Sequence, residues 1–358
     1  MSVEKFMGAT VIFRDERCID HVTPGGHPEC PERLVAIYGM LDAHCAGQGY
    51  EMCAPREAVR EELSCNHAPS YIDAIEATAA RQRVSLDPDT STSSGSWIAA
   101  KLAVGAVLDG CDMLMTGRAE NVMVLVRPPG HHAEHGRAMG FCLFNNVAIG
   151  ARYLLKHHGL DRIMIYDWDI HHGNGTQNAF YDTANVLYVS SHQYPYYPGT
   201  GALHETGKGE GTGYTVNIPL SGGQGDADYL ALVENVVVPL AQEYKPQMII
   251  VSAGYDIYES DPLGTMQVTA PGFGMLTARL KHLAEELCGG RLLVALEGGY
   301  HLEGIAQSVR CTLEALAGRA SGPGESSACR ESVPRASLDR VIAAVHTTHA
   351  RHWPVFKA

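Results

Sequence analysis

The chain is 358 residues long, 45% hydrophobic and 19% charged, with a formal net charge of −13. That balance excludes a disordered polymer and supplies enough apolar surface for one large core. The acidic excess disfavours nonspecific binding to a phosphate backbone, which needs Lys and Arg to displace counterions, and would draw in a cationic substrate instead.

Ten cysteines are scattered without paired spacing, which reads as free thiols in a reducing cytoplasm. Residues 1–5 are followed by no long apolar run of the kind a secretory signal needs, and no run is long enough to span a bilayer. A cytoplasmic protein without direct nucleic-acid or membrane contacts is therefore expected.

In chain order, the first apolar run, 10–13, reads as a strand. A long loop at 23–31 follows. Around it, Cys18, His21, His27 and Cys30 raise the question of a structural zinc, but there is no Cys-x-x-Cys and no finger spacing. Helical periodicity at 97–114 precedes a strand at 122–126, a loop at 127–140 and a helix at 145–157. Strands at 163–166 and 186–189 are followed by a loop at 192–213 and a helix at 229–244. A strand at 248–252, a helix at 273–287 and a strand at 292–296 complete the alternation. Such a pattern predicts an α/β fold with a mainly parallel sheet and helices on both faces. Residues 319–327 read as a linker and 338–353 as a peripheral helix. The expectation is one catalytic domain, 1–318, with an appendage, 319–358, packed on it.

The densest functional signal is Asp167-Trp168-Asp169-Ile170-His171-His172-Gly173-Asn174-Gly175, directly after the strand at 163–166. Ligands in open α/β sheets bind beyond the carboxyl ends of strands. Asp169 and His171 have period-2 spacing, so they can face one side and offer one oxygen and one nitrogen to a divalent metal. A lone Asp-x-His would be an ordinary solvated turn; the density of carboxylates, imidazoles and glycines favours a site.

Four further segments lie at strand ends or just beyond: Arg127-Pro128-Pro129-Gly130-His131-His132-Ala133, Met139 to Asn146, Ser252-Ala253-Gly254-Tyr255-Asp256 and Leu296-Glu297-Gly298-Gly299-Tyr300. With these five motifs in order, the chain resembles the histone deacetylase superfamily, in its class II and bacterial amidohydrolase-like branch, related to acetylpolyamine amidohydrolases. The resemblance extends from the first strand to Leu316 and implies the arginase–deacetylase fold. It further implies a zinc-dependent deacetylase of acetyl-lysine or similar acylated primary amines, often a homo-oligomer.

By the same resemblance, Asp169, His171 and Asp256 would hold Zn²⁺, an oxygen-rich set that would also take Fe²⁺ or Co²⁺. His132 would be the general base and then acid, oriented by Asn174. His131, oriented by Asp167, would give electrostatic support, and Tyr300 would stabilise the oxyanion. Gly140, Phe141 and Tyr197, with Leu263 at the rim, would line the substrate passage. Structural K⁺ or Na⁺ would sit on Asp167, Asp169, His171, Ser190 and Ser191, and on Phe180, Thr183, Val186 and Tyr214. Leucine at 263, where polyamine-preferring relatives often carry an acid, tilts the substrate toward acyl-lysine. Glu259 and Asp261 are nearby carboxylates for a cation, and Asp89 is a candidate grip on the substrate backbone. The alternatives are an acetylpolyamine deacetylase, an arginase-like ureohydrolase with two manganese ions, whose Asp-x-His-x-Asp pattern is not seen here, and a catalytically silent acyl-lysine binder. The last should have lost Tyr300 or a metal ligand, and this chain keeps all of them.

Overall fold

The structure is a computed structural model describing residues 9–45, 47–319 and 335–357. Its strands are β1 (Thr10–Phe13), β2 (Tyr50–Cys53), β3 (Arg83–Ser85), β4 (Ser91–Ser93), β5 (Asn121–Val124), β6 (Ile163–Asp167), β7 (Val186–Gln193), β8 (Thr215–Leu220), β9 (Met248–Ala253) and β10 (Leu292–Leu296). Eight of them form one sheet in the order β2-β1-β5-β10-β9-β6-β7-β8, with every neighbour parallel. β3 and β4 form a separate antiparallel hairpin.

The interior strands are near-continuous runs of branched apolar residues because both faces of a parallel sheet are covered. Every residue of β5, β6, β9 and β10 is buried. The two sheet strands that the hydrophobic pattern does not reveal are the edges. β2 is half-buried, and β8 carries Asn217 and Pro219, a composition that an edge tolerates and a central strand does not. β7 is longer than expected and takes Ser190, Ser191 and His192 into the sheet.

The helices are α1 (Glu32–His44), α2 (Arg60–Leu63), α3 (Pro69–Thr78), α4 (Ser96–Met115), α5 (Asn146–His157), α6 (Asn174–Phe180), α7 (Asp226–Leu232), α8 (Val238–Tyr244), α9 (Ala270–Cys288), α10 (Leu302–Leu316) and α11 (Arg335–His349). α10 packs on both α1 and α9, and α4 packs on α5. α5 starts where it does because Asn145 accepts the amide of Ala148 at 3.0 Å, an N-cap.

The single helix expected at 229–244 is broken by a π-turn over Val233–Val237. Pro239 has no N–H to offer the carbonyl four residues back, that of Asn235, so the coil widens there. His346 of α11 lies 2.8 Å from that carbonyl. Trp353, just beyond α11, donates to the carbonyl of Gly213 at 2.8 Å and meets the Tyr214 ring edge-on. The C-terminal segment is thus seated against β8 and the π-turn. Apart from Arg319, the linker expected at 319–327 lies outside the described residues, as do residues 1–5.

The four central strands, β5, β10, β9 and β6, are adjacent and all parallel, so their carboxyl ends open on the same side of the sheet. All five motifs lie on the connections leaving those ends.

Candidate active site

Asp167 is the last residue of β6. Beyond it Trp168 and Ile170 are fully buried in the core, and the alternating residues Asp169 and His171 take the other direction. The connection after β9 brings Asp256 to meet them. Nδ1 of His171 lies 3.1 Å from Oδ1 of Asp169 and 3.1 Å from Oδ2 of Asp256. Donor atoms of all three residues fall within 4.8 Å of one another.

The carboxylates are pinned from behind by backbone amides. Asp169 accepts His171 N on Oδ1 and Gly298 N on Oδ2, each at 2.9 Å, and Asp256 accepts Ile170 N at 2.9 Å. A Cβ on Gly298 would collide with both carboxylates, and one on Gly254 with Asp169. Burial, joined by the charge of Asp169, pushes Asp256 up to about 7. His171 moves the other way against its own burial, raised to about 9 by its bonds to the two acids. Two buried carboxylates converging on one imidazole nitrogen are a donor set that fits a divalent cation, whose charge would relieve the repulsion between them.

His131 and His132 come from the connection after β5, with ring centroids 4.0 Å apart. His131 Nδ1 lies 3.1 Å from Oδ2 of Asp167, an oxygen that also accepts the Tyr188 hydroxyl at 3.0 Å. Burial opposes a charge on His131, yet the carboxylates of Asp169 and Asp167 prevail and raise it to about 10. His132 Nδ1 lies 2.8 Å from Oδ1 of Asn174, the first residue of α6. Burial, then the charges of His131 and His171, hold His132 well below the ordinary imidazole value. Because Oδ1 only accepts, Nδ1 of His132 carries the proton and Nε2 keeps its lone pair.

Tyr300 follows Gly299, whose φ of +112° lets the chain turn out of β10 toward the site. Its amide and that of His301 donate to Oδ2 of Asp261 at 2.6 and 3.2 Å. Asp261 is therefore spent on the backbone and buried, and it is not the open carboxylate that the sequence suggested. Burial, with the charge of Asp256, keeps the Tyr300 phenol well above its usual value, so it stays a donor.

The passage is aromatic. Phe141 (φ +68°) meets Tyr300 at 5.9 Å and His27 at 4.7 Å, both edge-on. Tyr197 stands perpendicular to His132 at 5.1 Å and near His171 at 6.0 Å. Gly140 lies so close to His132 that a Cβ would strike the ring. Leu263 is tied to the rim through its carbonyl, which accepts the Tyr196 hydroxyl at 3.1 Å. Asp89 reaches the same wall through Thr90, whose hydroxyl bonds Asp89 at 2.8 Å and takes the Phe141 amide at 3.0 Å.

Residues 27–316 match the histone deacetylase domain family. The chain belongs to that family. It is 41% identical to histone deacetylase 15 of Arabidopsis thaliana over 321 residues, 87% of this chain and 57% of that protein. Identity to polyamine deacetylase HDAC10 of Homo sapiens is 37%, covering 95% of this chain and 53% of the human one. With a probable deacetylase of Archaeoglobus fulgidus it shares 35% identity over 97% of this chain and 99% of the archaeal one. The crystal structure of the HDA15 HD domain superposes with a TM-score of 0.88 at 37% identity, covering 98% of this chain and 96% of that one. The fold is the α/β arginase–deacetylase fold. The chain spans little more than half of the plant and human relatives.

As a histone deacetylase family member, the chain has its metal and catalytic candidates in one place, as the five motifs imply. The cation candidates lie on the β6–β7 side: Asp167 is in register with Ser190, and Ser191 Oγ is 3.1 Å from the Tyr166 hydroxyl. Phe180 ends α6, Thr183 and Val186 lead into β7, and the Tyr214 carbonyl takes the Tyr188 amide at 2.9 Å. The Cys18, His21, His27, Cys30 group is dispersed among other partners: His21 meets Ser96 at 2.7 Å and His27 the Asp89 carbonyl at 3.0 Å.

Several residues near the site were given no role by the sequence. Glu297 accepts the amides of Gly130 and His131 at 2.6 and 3.1 Å and the Ser252 hydroxyl at 2.7 Å, linking three strand ends. Arg33 donates to the carbonyls of Gly299 and Glu297 at 2.6 Å each, and its guanidinium lies 5.0 Å from the Tyr300 ring centre. The buried Glu29 joins Arg33 to Arg127; burial would lift its pKa, and Arg127 holds it well below the usual range. Glu134 contacts Asn174 and Asn178. Only the invariable cost of an unpaired buried charge could have hinted at such partners, and that cost does not name them.

Proposed function

We propose that the chain is a metal-dependent deacetylase that hydrolyses the amide of acyl-lysine or a similarly acylated primary amine. The observation that carries this reading is the meeting of Asp169, His171 and Asp256 beside a neutral His132 and the phenol of Tyr300. Bound by those three residues, Zn²⁺, Fe²⁺ or Co²⁺ would supply a Lewis acid that polarises the acyl carbonyl and acidifies water.

Nε2 of His132 takes a proton from the attacking water as its oxygen joins the acyl carbon. The carbon–oxygen double bond opens to an oxyanion, and the phenol of Tyr300 donates to it. When the C–N bond breaks, the proton on His132 passes to the departing amine, leaving a carboxylate and a free amine. His131, fixed by Asp167, adds positive potential to the same space. Phe141 and Tyr197 clasp the alkyl chain and keep bulk water from the reacting amide. Structural K⁺ or Na⁺ on the residues around Asp167 and Tyr214 would steady the loop after β6. Assembly into homo-oligomers and a cytoplasmic setting belong to the same proposal.

A polyamine substrate is the second reading, favoured by the name of the human relative. Leu263 at the rim and the commitment of Asp261 to the Tyr300 backbone oppose it, because neither offers a counter-charge for a second amine. The test is turnover of an acetyl-lysine peptide against N-acetylputrescine by protein loaded with zinc, iron or cobalt. Preference for the peptide is expected, with Tyr300→Phe lowering turnover by about 10²–10³. A strong preference for acetylputrescine would reassign the substrate, and near-full turnover by the variant would remove Tyr300 from the mechanism.

A further inference from the structure

Asn174 is an ambiguous device for orienting a general base. Its side-chain amide has an oxygen at one end and a nitrogen at the other, of nearly equal shape. Turned one way, it accepts from His132 Nδ1 and leaves Nε2 free to take a proton. Turned the other way, its NH₂ faces Nδ1, the imidazole proton moves to Nε2, and the base is disabled. The amide therefore needs a reason to stay in one orientation.

That reason stands on the connection after β5. Nδ2 of Asn174 donates to Oε1 of Glu134, two residues beyond the general base. The carboxylate is held in turn by Asn178, whose Nδ2 lies 3.0 Å from both oxygens, one turn along α6 from Asn174. The Glu134 backbone is anchored as well. Its amide donates to the Arg137 carbonyl at 2.9 Å, and its carbonyl meets Nδ1 of the buried His67 at 2.9 Å. A carboxylate only accepts, so a flipped Asn174 would set its carbonyl oxygen against a negative charge and lose a charge-assisted bond.

We infer that Glu134 is a positioning residue that locks the amide of Asn174 and, through it, keeps His132 in the tautomer with a free Nε2. The chain is Glu134–Asn174–His132. A carboxylate acts on the imidazole here through an intervening amide, where Asp167 acts on His131 by direct contact. The hydrogen bonds of Glu134 run to His67, Asn174, Asn178 and Arg137, none of them a metal ligand or a passage residue, so it governs the chemical step and not binding. The inference rests on the deacetylase reading for its kinetic consequence, but the tautomer itself can be measured without turnover.

The experiment compares Glu134→Met, which keeps the length and removes both oxygens, with Glu134→Gln, which keeps an acceptor for Asn174. Should the methionine variant not fold, Glu134→Ala takes its place. For the oxygen-free variant, kcat is expected to fall about 10- to 100-fold with KM unchanged, the range usual for partners that orient active-site imidazoles. Glu134→Gln is expected to recover to within about threefold of wild type. In parallel, ¹⁵N NMR of histidine-labelled protein reads the ring nitrogens of His132, assigned by loss of its signal in His132→Phe. Wild type and Glu134→Gln should show a single tautomer protonated at Nδ1, and Glu134→Met a mixture. An unchanged tautomer and kcat in Glu134→Met would overturn the inference, as would a rise in KM or a loss that glutamine does not rescue. If the wild-type protein cleaves no acyl-lysine or acylated amine, the deacetylase reading fails, and the NMR arm still decides the role of Glu134.

Discussion

His131 and His132 are adjacent in sequence and equally buried at 3% exposure, and face partners from the end of β6 and the start of α6. One is pushed up to about 10 and the other well below its ordinary value. The difference lies in their partners. Asp167 offers His131 a full negative charge, whereas Asn174 offers His132 only an amide oxygen. The charge that collects on His131 then depresses its neighbour further. An imidazole's role is set by what the tertiary fold places against Nδ1, and two chemically identical residues become a cationic stabiliser and a neutral base.

The most severe way to break this pairing is to delete the base. His132→Ala should lower kcat by about 10²–10⁴ while metal content, read by elemental analysis, stays at the wild-type level. If kcat barely changed, another group would be taking the proton. Removing the charge on the other side is milder. Asp167→Asn should cost about 10- to 100-fold in activity, since the residue orients an imidazole and touches no substrate. A loss as large as that of His132→Ala would mean that the two imidazoles share one role.

The metal ligands give a pH-dependent variant of the same contrast. His171, raised to about 9, and Asp256, pushed up to about 7, must both lose a proton to bind a cation, so metal affinity should weaken by about tenfold per pH unit between 9 and 7 and by up to about 100-fold per unit below 7. Equilibrium dialysis of the metal-free protein with Zn²⁺ at pH 6 and 8 measures it, and equal affinities would contradict it. The finest test converts one dyad into the other. With Asn174→Asp in a Glu134→Gln background, where no second carboxylate opposes the new one, a carboxylate faces His132 as Asp167 faces His131, and the imidazole pKa must rise. Since the base works only when neutral, activity would be lost at higher pH than in wild type, moving the acidic limb of the pH–rate profile up by about 1 unit. An unmoved limb would show that protonation of His132 does not set it.

Much of the site was legible because its chemistry is written locally. Asp169 and His171 share a face by strand periodicity, and His131-His132, Asp256 and Tyr300 each follow an apolar run by a few residues. Interior strands announced themselves by continuous burial. The edge strands did not, because β2 is only half-buried and β8 interrupts its apolar run with Asn217 and Pro219, and α7–α8 broke at a π-turn that the apolar stripe alone cannot foretell. Asp261 looked like an open acid and proved to be a cap on the backbone of Tyr300.

The sequence by itself determined which groups stand at the carboxyl ends of the central strands and, through motif order, the family to which they belong. Only the tertiary structure decided how those groups are paired: Glu134 with Asn174, Glu297 with the amides after β5, and Arg33 with a carbonyl 266 residues away at Gly299. The physical reason is range. Hydrophobic periodicity records what each residue does relative to its chain neighbours. A hydrogen bond or a charge acts on whatever lies within a few ångströms, and in a parallel sheet whose order departs from chain order, that neighbour comes from a distant part of the chain.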